Sequence, residues 1–247
     1  MSFLGRTDGG LKVARDELAA RCSKTHLAAM GRQDNMSEKT TPVPRSEVFR
    51  PLVAFDFDGT LTWRDSFRAF LAWRSGARRY ATAVAALAPQ IAAYAVRRDR
   101  TALKAAMVRV FLKGETRSEL ETQAQRFAAE RSRLLLRPDA VRTWKRWQGD
   151  GARLIIVTAT PQVIVAPFGR GLGAEKVIGS LLEFDAEDKV TGRFVGPNCR
   201  GQEKVVRLKA EFGEDVRLEA AYGDSDGDTQ MLALADEAGL RVFGGKP

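Results

Sequence analysis

Apolar residues follow two rhythms along this chain. Short, nearly uninterrupted apolar runs occur at Pro51-Leu-Val-Ala-Phe55, Arg153-Leu-Ile-Ile-Val157 and Leu218-Glu-Ala-Ala-Tyr222. Runs of this kind predict strands buried in a parallel sheet. From Thr62 to Gly151 the strand signal all but disappears, and Leu103, Met107, Val110 and Phe111, then Leu120, Ala124 and Phe127, recur at helical spacing. Helices are also expected from Gly201 to Leu208 and over Thr229-Gln-Met-Leu-Ala-Leu-Ala235. Strands alternating with helices define an α/β fold, and 247 residues suit one such domain plus a small helical unit. Residues 1 to 50 lack a strong period and end in the proline-bearing Ser37-Glu-Lys-Thr-Thr-Pro-Val-Pro-Arg45, which reads as a disordered extension and linker. Within it Leu11–Met30 could form a weak amphipathic helix, although Asp16 and Glu17 argue against a transit peptide. No apolar h-region marks a secretory signal. Met36 begins a chain that keeps every motif described below, so the first 35 residues read as a gene-start error.

Each predicted strand ends in residues that carry chemistry. Asp56-Phe-Asp58-Gly59 follows the first, and side chains two apart on a strand share a face. The carboxyl ends of strands are where open α/β sheets bind ligands. One carboxylate could attack phosphorus to give an acyl phosphate, and the other could protonate the leaving oxygen and then activate water. Asp-Gly pairs also mark ordinary solvated turns, so this pair alone leaves both readings open. The second strand runs into Thr158-Ala159-Thr160-Pro161, where a hydroxyl and free backbone N–H groups could hold a phosphoryl oxygen. Pro161 suits the first turn of a helix and Thr160 its cap, which leaves Thr158 as the better ligand. Lys204 lies near the start of the helix at Gly201, where the helix dipole disfavours a cation, and that conflict favours a ligand role. The third strand leads to Asp224-Ser-Asp226-Gly-Asp228, oxygen ligands suited to Mg²⁺. A calcium loop would require glycine sixth and glutamate twelfth; Thr229 and Ala235 stand there, so that reading fails.

These four segments, in this order, resemble the motifs of the haloacid dehalogenase superfamily of Asp-nucleophile phosphatases, over roughly residues 50 to 245. The resemblance implies a Rossmann-like parallel sheet core formed by residues 51–62 and 151–247, with an inserted helical cap at 63–150. It implies Asp56 as nucleophile and Asp58 as general acid/base, Thr158, Ala159 and Lys204 around the phosphate, and Mg²⁺ held by Asp56, Asp224 and the Asp58 carbonyl, supported by Asp228. Dehalogenases lack the second carboxylate of the first motif and ion-pumping ATPases place lysine after the nucleophile; Asp58 and Phe57 argue against both. A helical cap in this position is similar to the subclass containing phosphoserine phosphatase. Leu61-Thr-Trp-Arg-Asp65 and Asn198-Cys199-Arg-Gly-Gln-Glu-Lys204 resemble a bacterial branch of it that includes the C-type phosphatidylglycerophosphate phosphatase. The acidic substrate-recognition residue of phosphoserine phosphatase has no clear equivalent, although Asp65 lies near its place.

Charge adds a partner class. The net charge is +9, and residues 61–150 hold 19 basic against 8 acidic residues, while the remainder is nearly balanced at 21 against 23. A basic cap favours an anionic partner, a phosphate ester or an anionic membrane surface, or else merely solvates itself with arginines. Tyr80–Val96 carries no charge between Arg78-Arg79 and Arg97-Arg98, is shorter than the roughly twenty residues a spanning helix needs, and contains Pro89. It reads either as a kinked pair of helices buried in the cap or as a shallow membrane-docking element. Trp63, Trp73, Trp144 and Trp147 lie in or beside the cap, and packing on helix faces accounts for them more readily than nucleic-acid stacking. Cys22 and Cys199 give no disulfide framework, in keeping with a cytoplasmic setting, at the inner membrane face if docking holds. With His26 the only histidine, carboxylates must carry the acid/base work. The expected function is a Mg²⁺-dependent phosphomonoesterase acting through an aspartyl-phosphate on a lipid phosphate such as phosphatidylglycerophosphate. The alternatives are a phosphatase of a small soluble ester and a non-catalytic binder of anionic lipid or nucleic acid.

Overall fold

The strand β1 (Leu52–Phe55) is buried at all four positions and lies inside the sheet, so its two faces need apolar cover on both sides. The computed structural model describes residues 50–247; the readings of the linker, Leu11–Met30, Cys22, His26 and Met36 lie outside the described residues. On one side β1 pairs in parallel with β2 (Arg153–Pro161), and beyond it lie β3 (Lys176–Phe184) and the antiparallel β4 (Val190–Val195). On the other side β1 pairs with β5 (Leu218–Gly223), which pairs with β6 (Ala235–Leu240). The order β4-β3-β2-β1-β5-β6 reverses the chain's direction of travel at β1 and β5. A crevice opens outside the carboxyl ends of the strands at such a switch point.

Alternation along the strands builds two cores. Val53, Phe55, Leu154 and Ile156 face one of them; Leu52, Ala54, Ile155 and Val157 face the other. The second is covered by α7 (Gln202–Phe212) and the one-turn α8 (Thr229–Leu232) through Leu208 and Met231. The first is aromatic: the Phe55 ring lies 5.0 Å from that of Trp144 and 4.6 Å from that of Tyr222. Aromatic pairs of this kind add about 0.5–1.5 kcal/mol each beyond their buried area. Trp144 belongs to α5 (Pro138–Gly149), which returns the chain to the sheet, and its indole donates to the Leu172 carbonyl of α6 (Gln162–Leu172) at 2.9 Å.

Before α5 run α1 (Ser66–Ala86), α2 (Ala88–Arg97), α3 (Arg100–Phe111) and α4 (Arg117–Leu135). Three of them start at side-chain caps: Asp65 accepts from Arg68 N–H, Asp99 from Ala102 N–H and Thr116 from Glu119 N–H. Arg74 ties them together, bonding the Phe111 carbonyl, Gln123 and, at 2.7 Å, Glu115. The indole N–H groups of Trp63, Trp73 and Trp147 bond Leu134, Glu130 and Tyr222 within the fold.

Three expectations need correction. The uncharged stretch 80–96 is a pair of helices broken around Leu87, but apart from Leu87 it is not buried: α2 has no buried residue and Val96 is 84% exposed. Thr160 and Pro161 extend β2 rather than opening a helix; Pro161 stands at the N-cap position of α6, and Thr160 bonds elsewhere. The helix after Asp228 stops at Leu232, because parallel pairing of Ala235 with Leu218 begins β6. Neighbouring strand edges there prevail over the helix propensity of alanine. No helix among the described residues is long and apolar enough to cross a membrane.

Candidate active site

β1 delivers Asp56 to the switch point, where the Asp56 N–H still donates to the Tyr222 carbonyl of β5 at 2.8 Å. Its carboxylate accepts from Lys204 Nζ at 2.6 Å. Lys204, in the first turn of α7 and 1% exposed, gives its other bonds to Asp228 Oδ1 and the Val157 carbonyl, both at 2.6 Å. All three ammonium protons are committed. Burial disfavours the charge on Lys204, but Asp56 and Asp228 outweigh it and hold the ammonium above its ordinary range. The dipole conflict at this position is thereby resolved by the two carboxylates.

Asp228 is an anchor as well as a partner. Its Oδ2 accepts from the Asp224 N–H and from both the N–H and the hydroxyl of Ser225, at 3.2, 3.0 and 3.0 Å. Burial opposes its ionisation, yet Lys204 and the Ser225 donors hold it below the usual carboxylate range. Oxygens of Asp56, Asp224 and Asp228 come within 4.8 Å of one another. Burial, with Asp228 and Asp58 adding repulsion, pushes Asp224 up. Burial also pushes Asp56 up to about 7, against the attraction of Lys204. Three clustered carboxylates around one committed ammonium form a hard-oxygen site short of positive charge, which fits a small divalent cation. Gly59, at φ +87°, lets the Asp224 carboxylate in: a Cβ there would lie 2.0 Å from Asp224 Oδ2.

Asp58 points differently. Its Oδ1 accepts from the Ser66 N–H at 2.6 Å, at the start of α1, and its Oδ2 from the Thr160 hydroxyl at 2.5 Å. Thr158 and Ala159 line the same cavity as Asp56, Asp58, Lys204, Asp224 and Asp228, a space of about 460 Å³. The sequence-derived residues are thus brought together at one end of the sheet.

Of the wall facing them, the sequence had shown the net positive charge and Asp65, not the individual cations. Lys104 of α3 crosses to the Ala159 carbonyl at 2.9 Å, and burial lowers its pKa against the attraction of Asp58 and Asp65. Arg64, Arg68, Arg100 and Arg200 join it around the cavity, with Tyr94 and Asn198. Asp65, the carboxylate on this basic wall, is pushed up by burial and by the charge of Asp58. Lys104 follows Leu103 in the helical stripe that continues to Met107, and a lone cation on that stripe was the available signal.

Comparison with known proteins shows the family. A family model described as haloacid dehalogenase-like hydrolase matches residues 53–233. Protein CicA of Caulobacter vibrioides is 55% identical over 196 residues, 79% of this chain and 88% of that protein. A Bordetella pertussis protein of unknown function, known from a crystal structure, superposes with a TM-score of 0.64 at 25% identity, covering 74% of this chain and 86% of that one. A substrate-bound phosphoserine phosphatase shares the fold, with a TM-score of 0.53 at 20% identity over 76% of this chain and 84% of its own. The chain belongs to the haloacid dehalogenase-like hydrolases.

Proposed function

We propose that this hydrolase is a Mg²⁺-dependent phosphomonoesterase that works through an aspartyl-phosphate at Asp56. The observation that carries the reading is the buried Asp56 carboxylate at the end of β1, clustered with Asp224 and Asp228 and bridged to Asp228 by Lys204. Asp56 attacks phosphorus, and the P–O bond to the leaving group breaks as Asp58 gives that oxygen a proton. Asp58 then takes a proton from the water that attacks the acyl phosphate, releasing phosphate and restoring Asp56. Thr158 and the Ala159 N–H hold phosphoryl oxygens, and Lys204 offsets charge without leaving its two carboxylates. Mg²⁺, held by Asp56, Asp224 and the Asp58 carbonyl with Asp228 in support, would neutralise charge on the phosphoryl oxygens when bound. We assign residues 51–62 and 151–247 to the catalytic core and 63–150 to a cap, with α5 fastening the cap to the sheet.

For the substrate, a phosphate ester presented by an anionic membrane is the favoured reading, because α2 is unburied between basic pairs while its Tyr94 lines the catalytic cavity. Such docking would place the protein at the cytoplasmic face of a membrane. A small soluble ester is the second reading, supported by the fold shared with phosphoserine phosphatase. The test is phosphate release, with and without Mg²⁺, from phosphatidylglycerophosphate in mixed micelles beside phosphoserine and other soluble esters, with Asp56→Asn as control. Preference for the lipid supports docking, preference for a soluble ester makes the cap a plain lid, and turnover by Asp56→Asn overturns the mechanism. Flotation with anionic liposomes at low salt tests docking separately; no binding would sink it.

A further inference from the structure

Thr160 is a buried polar side chain beside the cavity that the mechanism above leaves unused. It is 1% exposed, and the cavity wall includes its neighbours Thr158 and Ala159 but not Thr160 itself. Its sequence context, a threonine before Pro161 and a helix, suggests a cap, but α6 has no side-chain cap bond at its start. The hydroxyl turns away from the helix and donates to Asp58 Oδ2 at 2.5 Å, across 102 positions of sequence. The Thr160 N–H, in turn, donates to Thr158 Oγ1 at 3.1 Å. One residue at the end of β2 is therefore bonded to both the group assigned to acid/base chemistry and the hydroxyl assigned to the phosphate.

We infer that Thr160 is a positioning residue for Asp58, fixing the carboxylate so that its proton is delivered to the leaving oxygen; this rests on the reading of Asp58 as general acid/base. Three donors surround Asp58: the Ser66 N–H and, at 3.5 Å, the Thr62 hydroxyl reach Oδ1, and the Thr160 hydroxyl alone reaches Oδ2. The Ser66 N–H belongs to the start of the helical insertion and the Thr160 hydroxyl to the sheet. Only the second ties Asp58 to the strand that also carries Thr158 and Ala159. When Asp58 surrenders its proton, the bond that broke is O–H on the carboxyl and the bond that formed is O–H on the leaving alcohol. The resulting carboxylate then accepts from all three donors. A donor already in place favours that charge as it develops and costs no reorganisation. When Asp58 is protonated on Oδ2, the hydroxyl can turn and accept instead, which a threonine permits and a valine of the same shape does not.

The test compares Thr160→Val and Thr160→Ser in the full chain with Mg²⁺, on an alkyl phosphate and on p-nitrophenyl phosphate, whose leaving group needs no proton. Thr160→Val is expected to lower kcat on the alkyl ester by about 10- to 100-fold, within the range attributed to general acid/base catalysis. KM should stay within about twofold, the p-nitrophenol burst should be less affected, and Thr160→Ser should recover most of the rate. Equal loss in both variants, equal loss of the alkyl rate and the burst, a change confined to KM, or no loss at all overturns the proposal. A thermal melt of each variant guards against misfolding; where Thr160→Val melts early, Thr160→Ala, which also lacks the hydroxyl, takes its place in the same comparison and the same outcomes apply. Asp56→Asn assayed alongside keeps the two readings apart: activity surviving there defeats the aspartyl-phosphate mechanism, whereas unaffected Thr160→Val defeats only this inference.

Discussion

The floor of the site and the α2 arm are opposite extremes of the same molecule. At the floor Lys204 spends all three donors and Asp228 accepts from four groups, and the two residues are 1% and 2% exposed. On α2 no residue is buried, Ile91 is 40% and Val96 84% exposed, and the arm bears on the cavity through Tyr94. The floor is over-determined, so its geometry survives the loss of any one weak contact but not of a charge. The arm is under-determined, so its sequence is free to answer to something outside the fold. Reaction chemistry belongs with the first kind of region and choice of substrate or surface with the second.

The comparison breaks most visibly at Lys204. Lys204→Met leaves Asp56 and Asp228 buried without their partner, and removing one member of a buried pair costs about 3–5 kcal/mol. Turnover should fall by at least about 10²- to 10³-fold, as for loss of a transition-state donor, and urea unfolding should report the stability loss. A Lys204→Met protein as stable as wild type would mean the floor is not over-determined by charge. Gly59→Ala is a smaller intrusion: the positive φ costs about 1–2 kcal/mol with a Cβ, and Asp224 must move from the space the Cβ claims. Weaker Mg²⁺ binding by calorimetry, with the fold kept by circular dichroism, is the expected result.

A third expectation concerns protons. Burial raises Asp56 from 3.8 to about 7, so the metal-free folded chain holds that proton more tightly than the unfolded chain. The stabilisation from this group is present below pH 3.8 and is lost as pH rises through about 7. Mg²⁺ competes with the same proton, so its stabilising effect should grow over that interval. The rise in melting temperature on adding Mg²⁺ should be larger at pH 8 than at pH 6; equal shifts would show that Asp56 is already ionised without metal. The smallest effect is expected on the arm. Val96→Asp should leave stability within about 0.5 kcal/mol, as exposed substitutions usually do, and leave turnover of a soluble ester unchanged while weakening liposome flotation.

Legibility from sequence followed the same division. Asp56, Asp58, Thr158, Lys204, Asp224 and Asp228 sit in short contiguous motifs at strand ends, where the period-two strand rule and the helix dipole say what each side chain faces. The central strands were equally plain, because β1 is apolar at every position. Thr160 was misread because a threonine before a proline has a strong local explanation, and only the distant Asp58 competes with it. The basic charge of the wall was legible, and Lys104 was signalled by a cation on an apolar helical stripe, but which residues face the strand ends is set by the tertiary packing of α3. β6 escaped notice because Ala235-Asp-Glu-Ala-Gly-Leu240 has no strand rhythm and is held by its pairing with β5. The exposure of α2 was undecidable in a run of alanines that suits burial and solvent alike.

The most direct measurement is of the covalent intermediate. Rapid quenching of the turning-over enzyme, reduction with borohydride and peptide mass spectrometry should find Asp56 converted to homoserine, with Asp58, Asp224 and Asp228 intact. Phosphate release with Asp56 unmodified, or with the reduced residue at any other carboxylate, would contradict the account.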